Sequence, residues 1–315
     1  MLGWMLYCAL LAACAAAAAL PLERIARHAA RPTRWVWALA LAVSVLVSEI
    51  ARVREVGILS VILPRAAAAP WLRAPAVTFA QAFHALGCWD ARLTIAAWGA
   101  TALVAGWFIL SFARLLLRRR TWHADIVDGH AVLVSDADGP AVFGIGRGTI
   151  VLPRWALAVG DRARALMLAH ELEHQRSGDT RLLVLSLGAI LLQPWNPAVW
   201  WLARRLRLAI EVDCDARVLD RGADLHSYGL VLLEACSRDG SAPLPAPALS
   251  TPPSWLEQRI RAMCDRGVDR VRVGWRAAVV VLAVSAAALL PEPAGLHCAL
   301  KALGFPVGQP GIHPN

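Results

Sequence analysis

Leu182-Leu183-Val184-Leu185-Ser186-Leu187-Gly188-Ala189-Ile190-Leu191-Leu192-Gln193-Pro194-Trp195-Asn196-Pro197-Ala198-Val199-Trp200-Trp201-Leu202 carries no charged residue. As one helix it is long enough to cross a hydrocarbon core about 30 Å thick, which takes roughly 20 apolar residues. Its flanks argue against that. His170-Glu171-Leu172-Glu173-His174 stands upstream and Glu211-Val212-Asp213-Cys214-Asp215 downstream. If the two clusters serve one site, they lie on the same side of any membrane. The break Gln193-Pro194-Trp195-Asn196-Pro197 resolves the conflict, because proline ends a helix and biases the residue before it away from helix. Each arm is then too short to span. The expected structure is a helical hairpin, packed in a domain core or dipping into the membrane interface, where Trp195, Trp200 and Trp201 are well suited.

Residues 162–176 contain neither Gly nor Pro, and Asp161 is a reasonable N-cap, so the upstream cluster is expected on one helix. At 3.6 residues per turn His170 and His174 share a face, and both can reach one tetrahedral ion at about 2.0–2.1 Å. Glu171 projects beside them, placed to take a proton from water at the metal. The bland reading is a solvated helix with two surface histidines. A catalytic zinc ion needs a third protein ligand and an open position. Glu211 and Asp215 are one turn apart in a helical pattern. Glu211 is the expected third ligand, with Asp215 accepting the second N–H of a histidine ligand and so setting its tautomer. The competing reading is two carboxylates answering the arginines at 204–207. Asp213 falls on the wrong helical face, and Cys214 is an alternative soft ligand. His226 and Tyr228 follow. Either could donate a hydrogen bond to the oxyanion formed when water attacks an amide, and either could be structural. His28, His84, His123, His130, His297 and His313 have no partners at ligand spacing.

The composition sets the surroundings. The chain has 315 residues, 58% hydrophobic and 17% charged, where a soluble domain carries about 25% charge. Mean hydropathy is +0.51. Disordered, collagen-like and disulfide-scaffold classes are excluded, and a membrane protein is indicated. The net charge of +9 comes almost wholly from arginines that flank apolar runs, so anionic headgroups are the simpler partner and direct nucleic-acid binding is not expected. The seven cysteines are isolated and offer neither a disulfide framework nor a four-cysteine zinc site. Four spans are expected, at 1–20, 35–51, 95–113 and 277–290, the last being short. No basic residue precedes the first run while Arg24, Arg27, Arg31 and Arg34 follow it, the wrong order for a cleaved signal peptide. Arginines at 114–120 and 266–276 then put the N- and C-termini outside, and the links at 21–34 and 115–276 in the cytoplasm.

Residues 131–135 and 141–152 are rich in β-branched and apolar types, with 136–140 as a turn. Gly144, Gly146 and Gly148 do not make a dinucleotide fingerprint, because the third glycine is misplaced and no βαβ unit follows. An edge strand that pairs with an extended peptide fits this segment, as does a small sheet that only covers the core.

Three spans, a strand ending Ile150-Val151-Leu152-Pro153, the HELEH helix with Gly178-Asp179 after it, Trp195-Asn196-Pro197-Ala198-Val199-Trp200, Glu211-Val212-Asp213-Cys214-Asp215, Tyr228 and a fourth span follow in an order that resembles the BlaR/MecR-type membrane metallopeptidases. The resemblance implies a mainly α membrane protein with about four transmembrane helices and a cytoplasmic, gluzincin-like α+β metallopeptidase domain between the third and fourth. The segments are then 1–114 (three-helix transmembrane region), 115–276 (peptidase), 277–290 (fourth helix) and 291–315 (short extracytoplasmic tail). It implies one zinc ion on His170, His174 and Glu211, with Glu171 as base, in the bacterial inner membrane. The implied substrate is a cytoplasmic or membrane-proximal protein, in sensor members a transcriptional repressor cleaved after an extracytoplasmic signal. Those members carry a penicillin-binding domain after the fourth span, and residues 291–315 hold no Ser-x-x-Lys motif. β-Lactam sensing by this chain is therefore not expected. Two other functions stay open. One is a quality-control protease of the HtpX type, against which the count of spans argues. The other is a non-catalytic signalling scaffold held together by zinc, against which three ligands rather than four argue.

Overall fold

The computed structural model describes residues 2–55, 90–136, 138–146, 148–238 and 253–265. The apolar run at 277–290, the tail at 291–315 and residues 56–89 and 239–252 lie outside the described residues.

Three long helices open the chain: α1 (Leu2–His28), α2 (Arg34–Glu55) and α3 (Asp90–Arg119). They contain the first three apolar runs. Among the described residues, α1 and α3 are long and apolar enough to cross a membrane. α3 leaves Ile95, Trp98, Leu103 and Ile109 exposed, as a helix solvated by lipid does. α1 and α2, joined through residues 29–33, pack together.

A small sheet follows, with β1 (His123–Val127), β2 (His130–Ser135), β3 (Ala141–Phe143) and β4 (Thr149–Pro153) in the order β1-β2-β4-β3. β1 was not foreseen, although Asp128-Gly129 is a hairpin signal. Both residues take positive φ, 50° and 80°, as the tight turns between antiparallel strands require. The strand expected at 141–152 is two antiparallel strands, β3 and β4. The glycines between them are the cause. Gly144 has φ +119°, and a Cβ on Gly148 would clash with a Val142 methyl. β2 and β4 run parallel, and β3 is an edge strand among the described residues and packs against the helix that carries the two histidines. Val127, Val132, Ile150 and Leu152 form a core with Leu168 of that helix.

After a short turn, α4 (Arg154–Leu157), the chain enters α5 (Asp161–Ser177), which carries the HELEH residues. Gly160, not Asp161, is the N-cap. Asp161 is instead the first helical residue and pairs with Arg164 at 2.9 Å, favourable at a positive helix end. Gly178, with φ +65°, ends α5 and turns the chain into α6 (Asp179–Leu192). The hairpin break is present. Asn196 caps α7 (Pro197–Asp220) by accepting from the Ala198 N–H, with Pro197 opening the helix. α8 (Leu225–Arg238) and α9 (Pro253–Cys264) follow.

The hairpin lies along the first two helices. Ala12, Ala16, Trp37, Leu41, Ile190, Leu202, Leu206 and Ile210 share one core. The Gln193 side chain at the tip donates to the Ser48 hydroxyl at 2.6 Å, about 21 Å up α2 from Arg34 at 1.5 Å per residue. The other half of α7 enters a separate core with Tyr228, Leu232 and Met263. One helix thus joins the α1–α2 pair to the cluster that contains the histidines.

Candidate active site

α5 and α7 cross so that the two clusters of the sequence meet. His170 Nε2 and His174 Nε2 are 3.1 Å apart. One oxygen of Glu211, Oε2, is 3.5 Å from the first and 3.8 Å from the second. A point equidistant from the three lies about 2.0 Å from each, the bond length of zinc to imidazole or carboxylate.

The outer nitrogens of both rings are engaged. His174 Nδ1 is 2.9 Å from Asp179 Oδ2. His170 Nδ1 is 2.7 Å from the Tyr228 hydroxyl, which donates to Asp215 Oδ1 at 2.7 Å. A carboxylate can only accept, so His174 carries its proton on Nδ1. The Tyr228 proton is given to Asp215, so its oxygen accepts from His170 Nδ1. Both Nε2 atoms then face the same point, and once deprotonated they would offer their lone pairs to a cation placed there. The donor set of two imidazoles and a carboxylate fits a zinc-type ion.

Arg259 of α9 closes the far side. Its guanidinium grips Asp215 with two bonds, 2.8 and 2.7 Å, and reaches Glu211 Oε2 at 3.3 Å. Asp179 also receives Arg217 at 3.0 Å. Glu173, the second acid of the HELEH run, is buried and paired with Arg176, Arg217 and Arg221. It is therefore spoken for.

Charge and burial compete at each group. Burial alone would lower the pKa of His170, but negative charge on the Cys214 sulfur and then on Glu211 outweighs it, lifting His170 to about 10. His174 is raised in the same way, with Asp179 adding to the effect. Burial would raise Glu211, but Arg259 and the two imidazoles hold it well below the usual carboxylate range. Glu171 is buried, and burial raises its pKa against the pull of the histidines. A carboxylate raised in this way is a stronger base at neutral pH.

The remaining candidates are placed as follows. Asp215 reaches His170 through Tyr228; the direct separation, Oδ1 to Nδ1, is 3.6 Å. Tyr228 is fully buried, with its hydroxyl engaged by His170 and Asp215 rather than turned to an open substrate position. His226 is exposed on the first turn of α8, beside Asp224. Cys214 forms with His170 and His174 another group whose ligand atoms lie within 4.8 Å of one another. That group is the poorer holder. The Cys214 sulfur lies 3.4 Å from His170 Nδ1, the nitrogen already facing Tyr228, and 3.4 Å from the His170 carbonyl oxygen. Asp179, Arg217 and Arg259 were not singled out from the sequence, although the Gly178-Asp179 pair just after HELEH was the available signal for the first.

Residues 114–263 match the family described as BlaR1 peptidase M56. They are a BlaR1/MecR-type M56 metallopeptidase domain. That match supports a membrane metallopeptidase, and α1 and α3 are long and apolar enough to cross a membrane. The M56 match takes in α5, α7 and α9, and so every side chain around the histidine pair named above. No curated protein and no solved structure gave a match.

Proposed function

We propose that the chain is an integral-membrane zinc endopeptidase that cleaves a cytoplasmic or membrane-proximal protein in regulatory proteolysis, with a transcriptional repressor as the substrate class. The observation that carries the reading is the triangle of His170 Nε2, His174 Nε2 and Glu211 Oε2, with sides of 3.1, 3.5 and 3.8 Å. His170, His174 and Glu211 hold the ion, and when bound it acidifies water and polarises the scissile carbonyl. Asp179 and the Tyr228–Asp215 pair keep both imidazoles in the ligating tautomer. Glu171 takes the proton of the attacking water and passes it to the leaving amine. An extended substrate pairs through its main chain with the free edge of β3, which packs against α5.

α1, α2 and α3 cross the inner membrane with 277–290 as a fourth span, both termini outside and the site on the cytoplasmic side. The placement of the histidine cluster near Arg34, at the same end of α1–α2 as Arg24, Arg27 and Arg31, supports that orientation. With α2 in the bilayer, the α6–α7 hairpin tied to Ser48 enters it too.

Glu171→Gln tests the reading. The purified full-length variant is expected to keep wild-type zinc by elemental analysis and to lose cleavage by about 10²–10⁴-fold. Comparing protein N-termini in cells carrying wild type or this variant would reveal the substrate. Undiminished peptidase activity in Glu171→Gln removes Glu171 from the mechanism.

A further inference from the structure

Residues 33 and 34 lie outside the matched peptidase domain, yet they reach two of its carboxylates. Asp213, which lies midway between Glu211 and Asp215 on α7, is buried and accepts three hydrogen bonds from the start of α2. They come from the Thr33 N–H at 3.0 Å, the Thr33 hydroxyl at 3.0 Å and the Arg34 N–H at 2.9 Å. The Arg34 guanidinium turns to the other side of the cluster. Its Nη1 is 3.3 Å from Asp179 Oδ1, and both side chains are almost fully buried. Neither atom has a hydrogen-bond partner among the described residues, so the two meet as opposite charges rather than through a hydrogen bond. The second oxygen of Asp179 faces His174 Nδ1 at 2.9 Å. One residue of α2 therefore touches α7 through its backbone and the histidine's carboxylate through its side chain.

We propose that Arg34 is a positioning residue for the metal centre. The α2 N-terminus sets α7, and so Glu211, through Asp213. The guanidinium sets Asp179, and so the His174 ring. The metallopeptidase site is thereby completed by a helix that begins some eighty residues before the matched domain. The proposal rests on the reading that His170, His174 and Glu211 bind the metal. Arg34 does not touch substrate or the reacting atoms. Its effect is on ligand orientation, where removing a supporting partner typically costs about 10–100-fold in metal affinity. Arg217 also holds Asp179 at 3.0 Å, which puts the loss at Arg34 at the lower end of that range.

The test measures metal affinity of the full-length protein in detergent by chelator competition, together with the visible spectrum of the cobalt(II) form, which reports ligand geometry. Arg34→Ala is expected to bind zinc about 10-fold more weakly and to change the cobalt spectrum, while Arg34→Lys recovers most of both. Should Arg34→Ala not fold, Arg34→Gln keeps a polar side chain, loses the charge and the reach to Asp179, and carries the same expectation. Glu23→Gln serves as a structural control. It weakens the 2.6 Å Glu23–Arg205 tie between α1 and α7, is equally buried, and is expected to leave affinity and spectrum unchanged. Wild-type affinity in Arg34→Gln, or an equal loss in Glu23→Gln, overturns the proposal. His170→Ala, run alongside, separates the two levels: wild-type affinity there refutes the metal reading itself, whereas affinity lost there and kept in Arg34→Gln refutes the role of Arg34 alone.

Discussion

Replacing Arg259 with Met should destabilise the metal-free protein more than any surface change, and the structure gives the size. The guanidinium makes contacts of 2.7 and 2.8 Å with Asp215 and 3.3 Å with Glu211. Its side chain is 11% exposed and that of Asp215 1%, so solvent screens the pair little. Breaking a buried pair by removing one partner costs about 3–5 kcal/mol, because the remaining charge is left without compensation. At about 2–4 °C per kcal/mol for a domain of this size, the midpoint of thermal unfolding falls by about 6–20 °C. Bound zinc should reduce the deficit, since the ion supplies the positive charge that Glu211 loses. Asp215→Asn in the same chain removes the stranded charge, so the double variant should lose less than the sum of the single ones, with a coupling of about 1.5–3 kcal/mol. Differential scanning of the four proteins, each with and without zinc, measures all of these quantities. Additivity within about 0.5 kcal/mol, or an equal deficit with and without the ion, would refute the claim that Arg259 neutralises this pair of carboxylates.

Two further outcomes follow from the same geometry. Tyr228→Phe deletes the hydroxyl between His170 Nδ1 and Asp215. It should weaken zinc binding by about 10-fold, whereas an oxyanion donor would instead lose about 10²–10³ in kcat at unchanged affinity; parallel chelator titration and kinetics separate the two. Metal uptake should release protons at pH 7. The pKa of His170 in the metal-free protein is about 10 and that of His174 is also raised, so both rings are charged below those values and must deprotonate to bind. Affinity therefore rises with pH until about 10, and calorimetry in two buffers of different ionisation enthalpy counts the protons released. Zero release at pH 7 would show that the rings are already neutral.

Much of the site was legible because helical spacing is a local property. His170 and His174, one turn apart, needed only an unbroken helix, and the hairpin between the clusters was written in Pro194 and Pro197. The sheet was less legible. A run of β-branched residues does not reveal that Gly144 and Gly148 fold it back on itself, since the close approach at Gly148 exists only once Val142 stands opposite. Asp179, Arg217 and Arg259 were hidden for a different reason. Arginine flanks every apolar run in this chain, so composition cannot tell a guanidinium that snorkels from one buried against two carboxylates. Their roles are tertiary. Arg259 meets Asp215 across 44 positions and Thr33 meets Asp213 across 180, and no periodicity reports a contact of that kind.

The placement of Asp213 on the wrong helical face turns out to be informative. Successive residues on a helix advance by about 100°, so side chains four apart nearly coincide and those two apart are nearly opposed. Glu211 and Asp215 therefore share the face toward α5 and α9, while Asp213 and Arg217 look away from it. The structure fills that second face with the N-terminus of α2 at Asp213, and with Asp179 and Glu173 at Arg217. α7 is thus held from both sides by bonds of 2.7–3.0 Å. Rotating it to move Glu211 relative to the histidines pulls Asp213 from three donors at once. Because Asp213 is buried, those bonds have no water to replace them, and an orphaned buried group costs about 1–3 kcal/mol or more when charged. The position of Glu211 relative to the two histidines is therefore set jointly by the packing of α9 and by the seat of α2 on α7.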